Sequence, residues 1–550
     1  MFNDKFGSMV FNESVMKSHL KDATFKKLMK IKKEGMALDR DIADEVAEAM
    51  KNWAMDNGAT HYTHWFQPMT GITAEKHDSF IENDGEGNPI LEFSGKALIK
   101  QESDASSFPS GGIRATFEAR GYTVWDPTSD AFIKEDTLCI PTAFESFNGA
   151  ILDKKTPLLR SINALNKQAL RVLALFGQSY KYVFPNVGLE QEYFLINKED
   201  YAKRRDIILC GRTLFGAPTP KGQILSDQYL GNIRPRVKAF MAELDDTLWK
   251  LGIFAKTEHN EVAPCQHEMA AVYTKASISI DQNQLTMEMM KKIADKHGFY
   301  CLLHEKPFAG INGSGKHNNW SICTDDGENL INPGKAPYEN VKFQLFLTAV
   351  IKAVDDYQDL LKIGVSTAGN DHRLGGHEAP PAIISMYLGR NLSNVVDAII
   401  SGTELEAAQE KAKKKPEDED RNRTSPFAYT GGKFEFRMPG SSDNVSCANY
   451  ILNTAVAESL KQFADRLEPY MGKASLQKEM KKLIREELKA HQRILFDGNG
   501  YSAEWVREAK KRGLLNLKST PEAFAHFDDE KNVKLLTSHN ILSVEELEAR

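Results

Sequence analysis

Cysteine is sparse in this chain and nowhere paired. The six cysteines among 550 residues, Cys139, Cys210, Cys265, Cys301, Cys323 and Cys447, are scattered and form no C-x-x-C. That spacing argues against a disulfide scaffold and a structural zinc site, and it fits a reducing compartment. The opening residues, MFNDKFGSMVFNES, lack the apolar stretch of a secretory signal. No window approaches the ~18 apolar residues of a membrane-spanning helix. Basic tracts suited to nucleic acid are missing too, and the net charge is only −6. These absences point to a cytoplasmic protein with neither membrane nor nucleic acid as partner. With so mild a field, acidic ligands must be held by local arginines and metal ions. A hydrophobic content of 41% is enough for a sizeable core, and the length suits roughly two to four domains.

Along the chain, residues from Lys17 to about Asn57 read as helical, with Leu28, Met29, Ile31 and Leu38 on one apolar face. Between His61 and Glu145, short β-like runs alternate with Gly, Pro and Ser clusters. A helix is expected from Pro157 to Leu175. Strands and helices then mix from about 180 to 450, and the remainder reads as helical. The tract Glu404 to Asp420 has almost no large apolar side chains, as in a solvated insertion.

The chemistry concentrates in two strand-like runs and three loops. In Val187 to Ile196, Glu190 and Glu192 fall on one face of a strand, because alternate side chains share a face. In Lys433-Phe434-Glu435-Phe436-Arg437 the three charged residues line up in the same way. Burying unpaired charge is costly, so a cation and a phosphate would give those faces a purpose. The run HNEVAPCQHE adds Glu261 and Glu268, with His259 and His267, and carboxylate-rich sets select hard cations. Asn312-Gly313-Ser314-Gly315-Lys316 is a glycine-rich turn without the spacing of a Walker A loop. It leads into a strand on which His317, Asn319 and Ser321 share a face opposite Trp320 and Ile322. Asn370 to Pro381 contains Arg373, Gly375-Gly376 and Glu378, as in a loop that closes over a site. Arg421-Asn422-Arg423 adds guanidinium groups able to fork onto carboxylate or phosphate. Each run alone fits a surface strand, a turn or a salt-bridge patch. Together they suit phosphoryl transfer from a nucleotide, where positioning and charge neutralisation dominate.

In order, GLEQEYFLI, EHNEVAPCQHE, KPFAGINGSGKHNNWS, GGHEAPPAI and RNRTSPFAYTGGKFEFR resemble the signature segments of glutamine synthetases, in particular the long type III form. The resemblance implies an α+β fold: a helical extension over 1–60, a β-grasp domain over 61–150, a catalytic domain with a curved antiparallel sheet over 151–470, and a helical region over 471–550. It implies that ATP drives the ligation of ammonia to L-glutamate through γ-glutamyl phosphate, with two or more Mg²⁺ (or Mn²⁺) per site. Glu192, Glu261 and Glu268 would hold the first metal, and Glu190, His317 and Glu435 the second. Arg373, Asn312 and Gly313 would bind glutamate. Arg423 and Arg437 would neutralise the transferred phosphoryl group. Ser321, Lys433 and Asn319 would lie at the nucleotide. Glu378 would close the site and take a proton from ammonium, which Asp104 would hold from the adjacent subunit. Stacked rings, a dodecamer among them, are the implied assembly.

The chain departs from the family pattern in three places. The charged tract stretches the distance between Glu378 and Arg423. Pro426, Phe427 and Ala428 stand where shorter forms carry a further arginine. The last residues, Ser543 to Arg550, read as a short helix started by a Ser543/Glu546 capping box, which suggests a truncated form. Two other functions remain open to the sequence: a ligase that joins glutamate to a larger amine, and a non-catalytic structural or regulatory member of the fold.

Overall fold

A computed structural model of the chain describes residues 5–34, 38, 40–104, 120–147, 149–151, 153–218, 222–403 and 425–550. Among the described residues the expected helical start holds the helices Glu13–His19, Asp22–Glu34 and Arg40–Asp56. The first begins where the Asn12 side chain accepts a hydrogen bond from the Val15 amide at 3.1 Å, which satisfies one of the orphan donors of a helix N-terminus. Leu28 and Ile31 are buried, as their spacing requires, and join Val46, Met50 and Trp53. These helices share one apolar core with a first sheet.

That sheet runs in the order β2 (His77–Ser79), β1 (His61–Trp65), β8 (Thr137–Ser146), β6 (Arg120–Trp125) and β5 (Lys100–Asp104), with β7 (Phe132–Lys134) also on β8. β1 and β8 are parallel and the other pairs antiparallel. A separate hairpin joins β3 (Ile81–Asn83) to β4 (Pro89–Leu91).

The larger sheet positions the site. Its order is β10 (Ala255–Asn260), β11 (Gln266–Ala271), β9 (Val183–Asn197), β14 (Lys316–Thr324), β17 (Phe434–Phe436), β16 (Phe427–Tyr429) and β15 (Met386–Tyr387). Two short strands, β12 (Thr274–Lys275) and β13 (Phe299–Leu302), pair with β9 as well. All pairs are antiparallel except β15 with β16. Alternation along each strand sorts the side chains by face. Val187 and Leu189 of β9, Trp320 and Ile322 of β14, and Phe434 and Phe436 of β17 enter one core with the helices Lys155–Ala174, Val341–Asp356 and Ser446–Leu467. A polar tie runs through that core: the Trp320 indole donates to Asn453 at 2.9 Å, and Asn453 donates to Ser161 at 3.1 Å.

At the other end of the chain, the helix Val544–Glu548 opens with the capping box of Ser543 and Glu546. So short a helix is marginal by itself. Tertiary contacts hold it: Glu546 accepts from the Ile151 amide at 2.9 Å and pairs with Arg160 at 3.4 Å. Among the described residues, no helix is long and apolar enough to cross a membrane.

Candidate active site

The polar face of the larger sheet lines a cavity of about 210 Å³. Strand register explains its two halves. Glu192 of β9 stands opposite Glu268 of β11, which stands opposite His259 of β10. Glu190, two residues earlier on the same face, stands opposite His317 of β14, and Asn319 of β14 stands opposite Glu435 of β17. β9 therefore runs between two ligand-rich clusters.

In the first cluster, His259 lies 3.1 Å from Glu268 and 3.7 Å from Glu261, and Glu192 accepts from the Gly315 amide at 2.8 Å. Burial, and then repulsion from neighbouring carboxylates, pushes Glu261 and Glu268 above the usual carboxylate range. The hydrogen bond to Glu268 pushes His259 up. In the second, His317 lies 3.1 Å from both Glu190 and Glu435, with its other ring nitrogen 3.7 Å from Glu192. Burial would depress His317, yet its hydrogen bonds to Glu190 and Glu435 push it up to about 10. Glu190, opposed by burial but held by His317, sits below its usual value. In each cluster at least three ligand atoms lie within 4.8 Å of one another. Buried carboxylates that repel one another, with a histidine beside them, fit a divalent cation of the Mg²⁺ or Mn²⁺ kind.

Guanidinium groups face these clusters. Arg437 approaches Glu435 at 3.6 Å and donates to the Glu378 carbonyl at 3.4 Å. Arg373, on the short helix Ala368–Arg373, lines the cavity beside Asn312 and Gly313. Glu378 sits in a tight loop closed by the Gly375 amide on the Pro380 carbonyl, 2.9 Å. His377 and Glu378 both adopt positive φ, 50° and 68°. Consecutive side-chain-bearing residues in that region store strain.

The cavity thus unites Glu190, Glu192, Glu261, Glu268, His317, Glu435, Asn312, Gly313, Arg373, Glu378 and Arg437. Asn319 is just behind, donating to Glu190 at 2.8 Å. Ser321 and Lys433 do not line it: Ser321 is buried four residues beyond His317 on β14, and Lys433 is exposed just ahead of β17. Asp104 ends β5, paired through its backbone with Arg120, and its side chain lies outside the described residues. Arg423 and the Glu404 to Asp420 tract lie outside them too. His267 points to the opposite face of the sheet, against Tyr193.

Three lining residues, His377, Ala379 and Tyr229, carried no earlier assignment. His377 precedes Glu378. Tyr229 lies in a single 3₁₀ turn, Gln228–Leu230, with its ring edge-on to His259 at 5.3 Å and its hydroxyl 3.5 Å from Glu378. Burial and the carboxylates of Glu261 and Glu378 raise its phenol, so it remains a donor. No motif or strand period in the sequence flags it.

A sheet that sets two carboxylate–histidine clusters side by side, with arginines across the cavity, defines an enzyme built to hold cations and anions together. Comparison with known proteins narrows the class. Residues 2–161 match the family described as glutamine synthetase type III N terminal, 167–385 the glutamine synthetase catalytic domain, and 479–550 the glutamine synthetase C-terminal domain. The chain is 50% identical over its whole length to the type-3 glutamine synthetase of Dictyostelium discoideum, covering 76% of that protein. It is 47% identical to a glutamine synthetase of Bacteroides fragilis, strain YCH46, covering 77% of it. Solved structures of GmaS, without ligand and with ADP, share the fold at TM-scores of 0.55 and 0.54 with 15% and 16% identity, over 90% and 91% of this chain and 93% of each of those chains. The chain belongs to the type III glutamine synthetase family. It is an α+β enzyme that ligates ammonia to glutamate to make glutamine, and the family uses ATP and a divalent metal in doing so.

Proposed function

We propose that Glu192, Glu261 and Glu268 hold one divalent cation, with His259 at its edge, and that Glu190, His317 and Glu435 hold a second, Mg²⁺ or Mn²⁺. The pairing of the two clusters across β9 carries this reading. When bound, such cations supply positive charge that offsets the phosphates of ATP. Arg373, with Asn312 and Gly313, receives glutamate: a guanidinium forks onto a carboxylate, and Gly313 lets the backbone approach closely. The γ-carboxylate oxygen of glutamate attacks the γ-phosphorus of ATP, the bond to the β-phosphate oxygen breaks, and ADP departs. Arg437, with Arg423, neutralises the charge spread over the transferred phosphoryl group. Ammonia then attacks the acyl carbon of γ-glutamyl phosphate, inorganic phosphate leaves, and Glu378 accepts the proton released from nitrogen. Tyr229 and the Asn312 amide, 3.5 and 3.4 Å from the Glu378 carboxylate, hold that base and its loop over the site. Closure there keeps water from the acyl phosphate.

Asp104 supplies a further ammonium ligand from a neighbouring subunit, and Ser321, Lys433 and Asn319 serve the nucleotide. Rings of subunits, stacked to a dodecamer in the cytoplasm, are the assembly we propose. Leu225 and Leu230, 99% and 94% exposed, support a subunit contact near the site, because apolar side chains bared so fully suit an interface. The functional units are a helical extension over 1–60, a β-grasp unit over 61–150, a catalytic unit over 151–470 and a helical region over 471–550.

Calorimetric or spin-resonance titration of the full chain with Mn²⁺ tests the metal assignment. Glu435→Gln and Glu261→Gln should each lose one class of bound Mn²⁺ and lower kcat about a hundredfold or more. Two intact Mn²⁺ classes in both variants would sink it.

A further inference from the structure

Glu305 lies three residues past the end of β13 and outside the cavity lining, yet it is among the most buried carboxylates in the chain at 2% exposure. Among the described residues no cation comes within ion-pair distance of it. A buried carboxylate of that kind is costly unless hydrogen bonds hold it. The donors come from Ser442, whose amide lies 3.0 Å away and whose hydroxyl also donates to it.

Glycines close around the rest of the group. A Cβ on Gly369 would lie 2.0 Å from one carboxylate oxygen, and one on Gly440 would lie 2.5 Å from the other. The Glu305 backbone carbonyl accepts from Ser314 at 2.8 Å, and a Cβ on Gly313 would lie 2.3 Å from that oxygen. Glu305 therefore bonds the Gly440–Ser442 turn through its side chain and the Gly313–Gly315 turn through its backbone, and packs tightly on the helix Ala368–Arg373.

Those segments build the seat of Arg373. Its guanidinium donates to the carbonyls of Arg437, Met438 and Pro439 at 3.1, 3.0 and 3.3 Å, and to Asn370 at 3.2 Å. It packs on Gly315, where a Cβ would lie 2.1 Å from its nitrogen. The accepting carbonyls lead directly into the turn that Ser442 ties to Glu305. Shifting that turn moves the floor under Arg373.

We infer that Glu305 is the positioning residue of the glutamate subsite: its buried carboxylate holds the Gly440–Ser442 turn close against the helix Ala368–Arg373, and so sets where Arg373 meets the substrate carboxylate. This rests on the reading of Arg373 as the glutamate ligand. The effect is on glutamate binding, with little on the nucleotide, because Glu190, Asn319 and Glu435 are anchored through strands that Glu305 does not touch.

Steady-state kinetics of the full chain, varying glutamate and ATP separately, test it with Glu305→Gln, the milder Ser442→Ala, and Arg373→Lys as reference. Glu305→Gln should raise the glutamate KM about tenfold while the ATP KM and kcat stay within about threefold. Ser442→Ala should move the same parameter by less. Gly369→Ala, which presses on the same carboxylate, should raise the glutamate KM and combine non-additively with Glu305→Gln. If both KM values rise together with a loss of melting temperature, Glu305 merely supports the fold and the inference fails. It also fails if Glu305→Gln and Ser442→Ala leave the glutamate KM alone while Arg373→Lys raises it, in which case the role of Arg373 stands. An unchanged glutamate KM in Arg373→Lys removes both.

Discussion

Tyr229 shows how a single side chain acquires a role that its sequence context does not announce. Its hydroxyl stands beside Glu378, its ring meets His259 edge-on, and both neighbours belong to the chemistry proposed above. Removing the hydroxyl leaves the ring packing and deletes one donor to the Glu378 carboxylate. Tyr229→Phe should therefore lower kcat/KM for ammonium by about tenfold and leave the ATP KM unchanged, as measured by glutamine formation under varied ammonium. Equal activity at all ammonium concentrations would show that the phenol is a bystander. Glu190 and Glu192 were legible for the opposite reason: their two-residue spacing fixes a shared face wherever a strand forms. Tyr229 sits on an irregular turn, where no period constrains direction, and only the tertiary approach of that turn to β10 brings it in. Ser321 marks the limit of the strand rule. It shares the face of His317, but four residues of strand carry it about 13 Å away, beyond the cavity wall.

At the level of elements, the strand β9 was legible because charge and apolar residues alternate along it, and register then settles which cluster each glutamate joins. β17 spans only Phe434–Phe436, so the charged face of the Lys433 to Arg437 run divides: Glu435 and Arg437 face the cavity and Lys433 falls in the preceding turn. Helix docking was less legible, because it depends on buried polar pairs between segments far apart in the chain. His491, at the end of the helix Leu476–His491, lies 2.8 Å from Asp355 of the helix Val341–Asp356 and 3.4 Å from Glu487. Burial would depress its pKa, but Asp355 and Glu487 push it up to about 9. Asp356 adds to the rise, and Lys352 opposes it. A histidine raised in the folded state stabilises fully below its unfolded pKa of about 6.5. That contribution fades as pH climbs through 9. His491→Gln should thus cost on the order of 2 kcal/mol at pH 6, and the difference from the parent should vanish by about pH 10. Urea midpoints of both proteins across that range check it, and a pH-independent difference would count against the ion pair.

Across the whole molecule, the N-terminal unit and the catalytic unit meet at a buried charge cluster. Lys155, fully buried at the start of the helix Lys155–Ala174, lies 2.8 Å from Asp126 of the first sheet's β6–β7 connection and pairs also with Asp281 of the helix Ala276–Lys296. Ser129 donates to Asp281 at 2.9 Å and Gln67 at 2.6 Å. Gln67 in turn accepts from Asn444 and Ser446, each at 2.8 Å. One lysine thus holds two carboxylates where the units join, and the network extends to the turn that starts the helix Ser446–Leu467. None of this showed in sequence, since Asp126, Lys155 and Asp281 belong to no motif. Burial raises Asp126 but Lys155 outweighs it and holds the carboxyl below its usual value. Lys155→Met strands both carboxylates, and breaking a buried pair from one side costs about 3–5 kcal/mol. In that variant Asp126 keeps the upward push of burial and loses the Lys155 charge that outweighed it. The penalty is therefore present at neutral pH and eases as pH falls and Asp126 takes up a proton. Thermal denaturation should show a larger gap from the parent at pH 8 than at pH 5. Adding Asp126→Asn and Asp281→Asn to Lys155→Met should recover much of the loss at pH 8, because neutral amides need no counter-charge. A gap that ignores pH, or a triple variant no more stable than Lys155→Met, would mean that packing and not charge joins the two units.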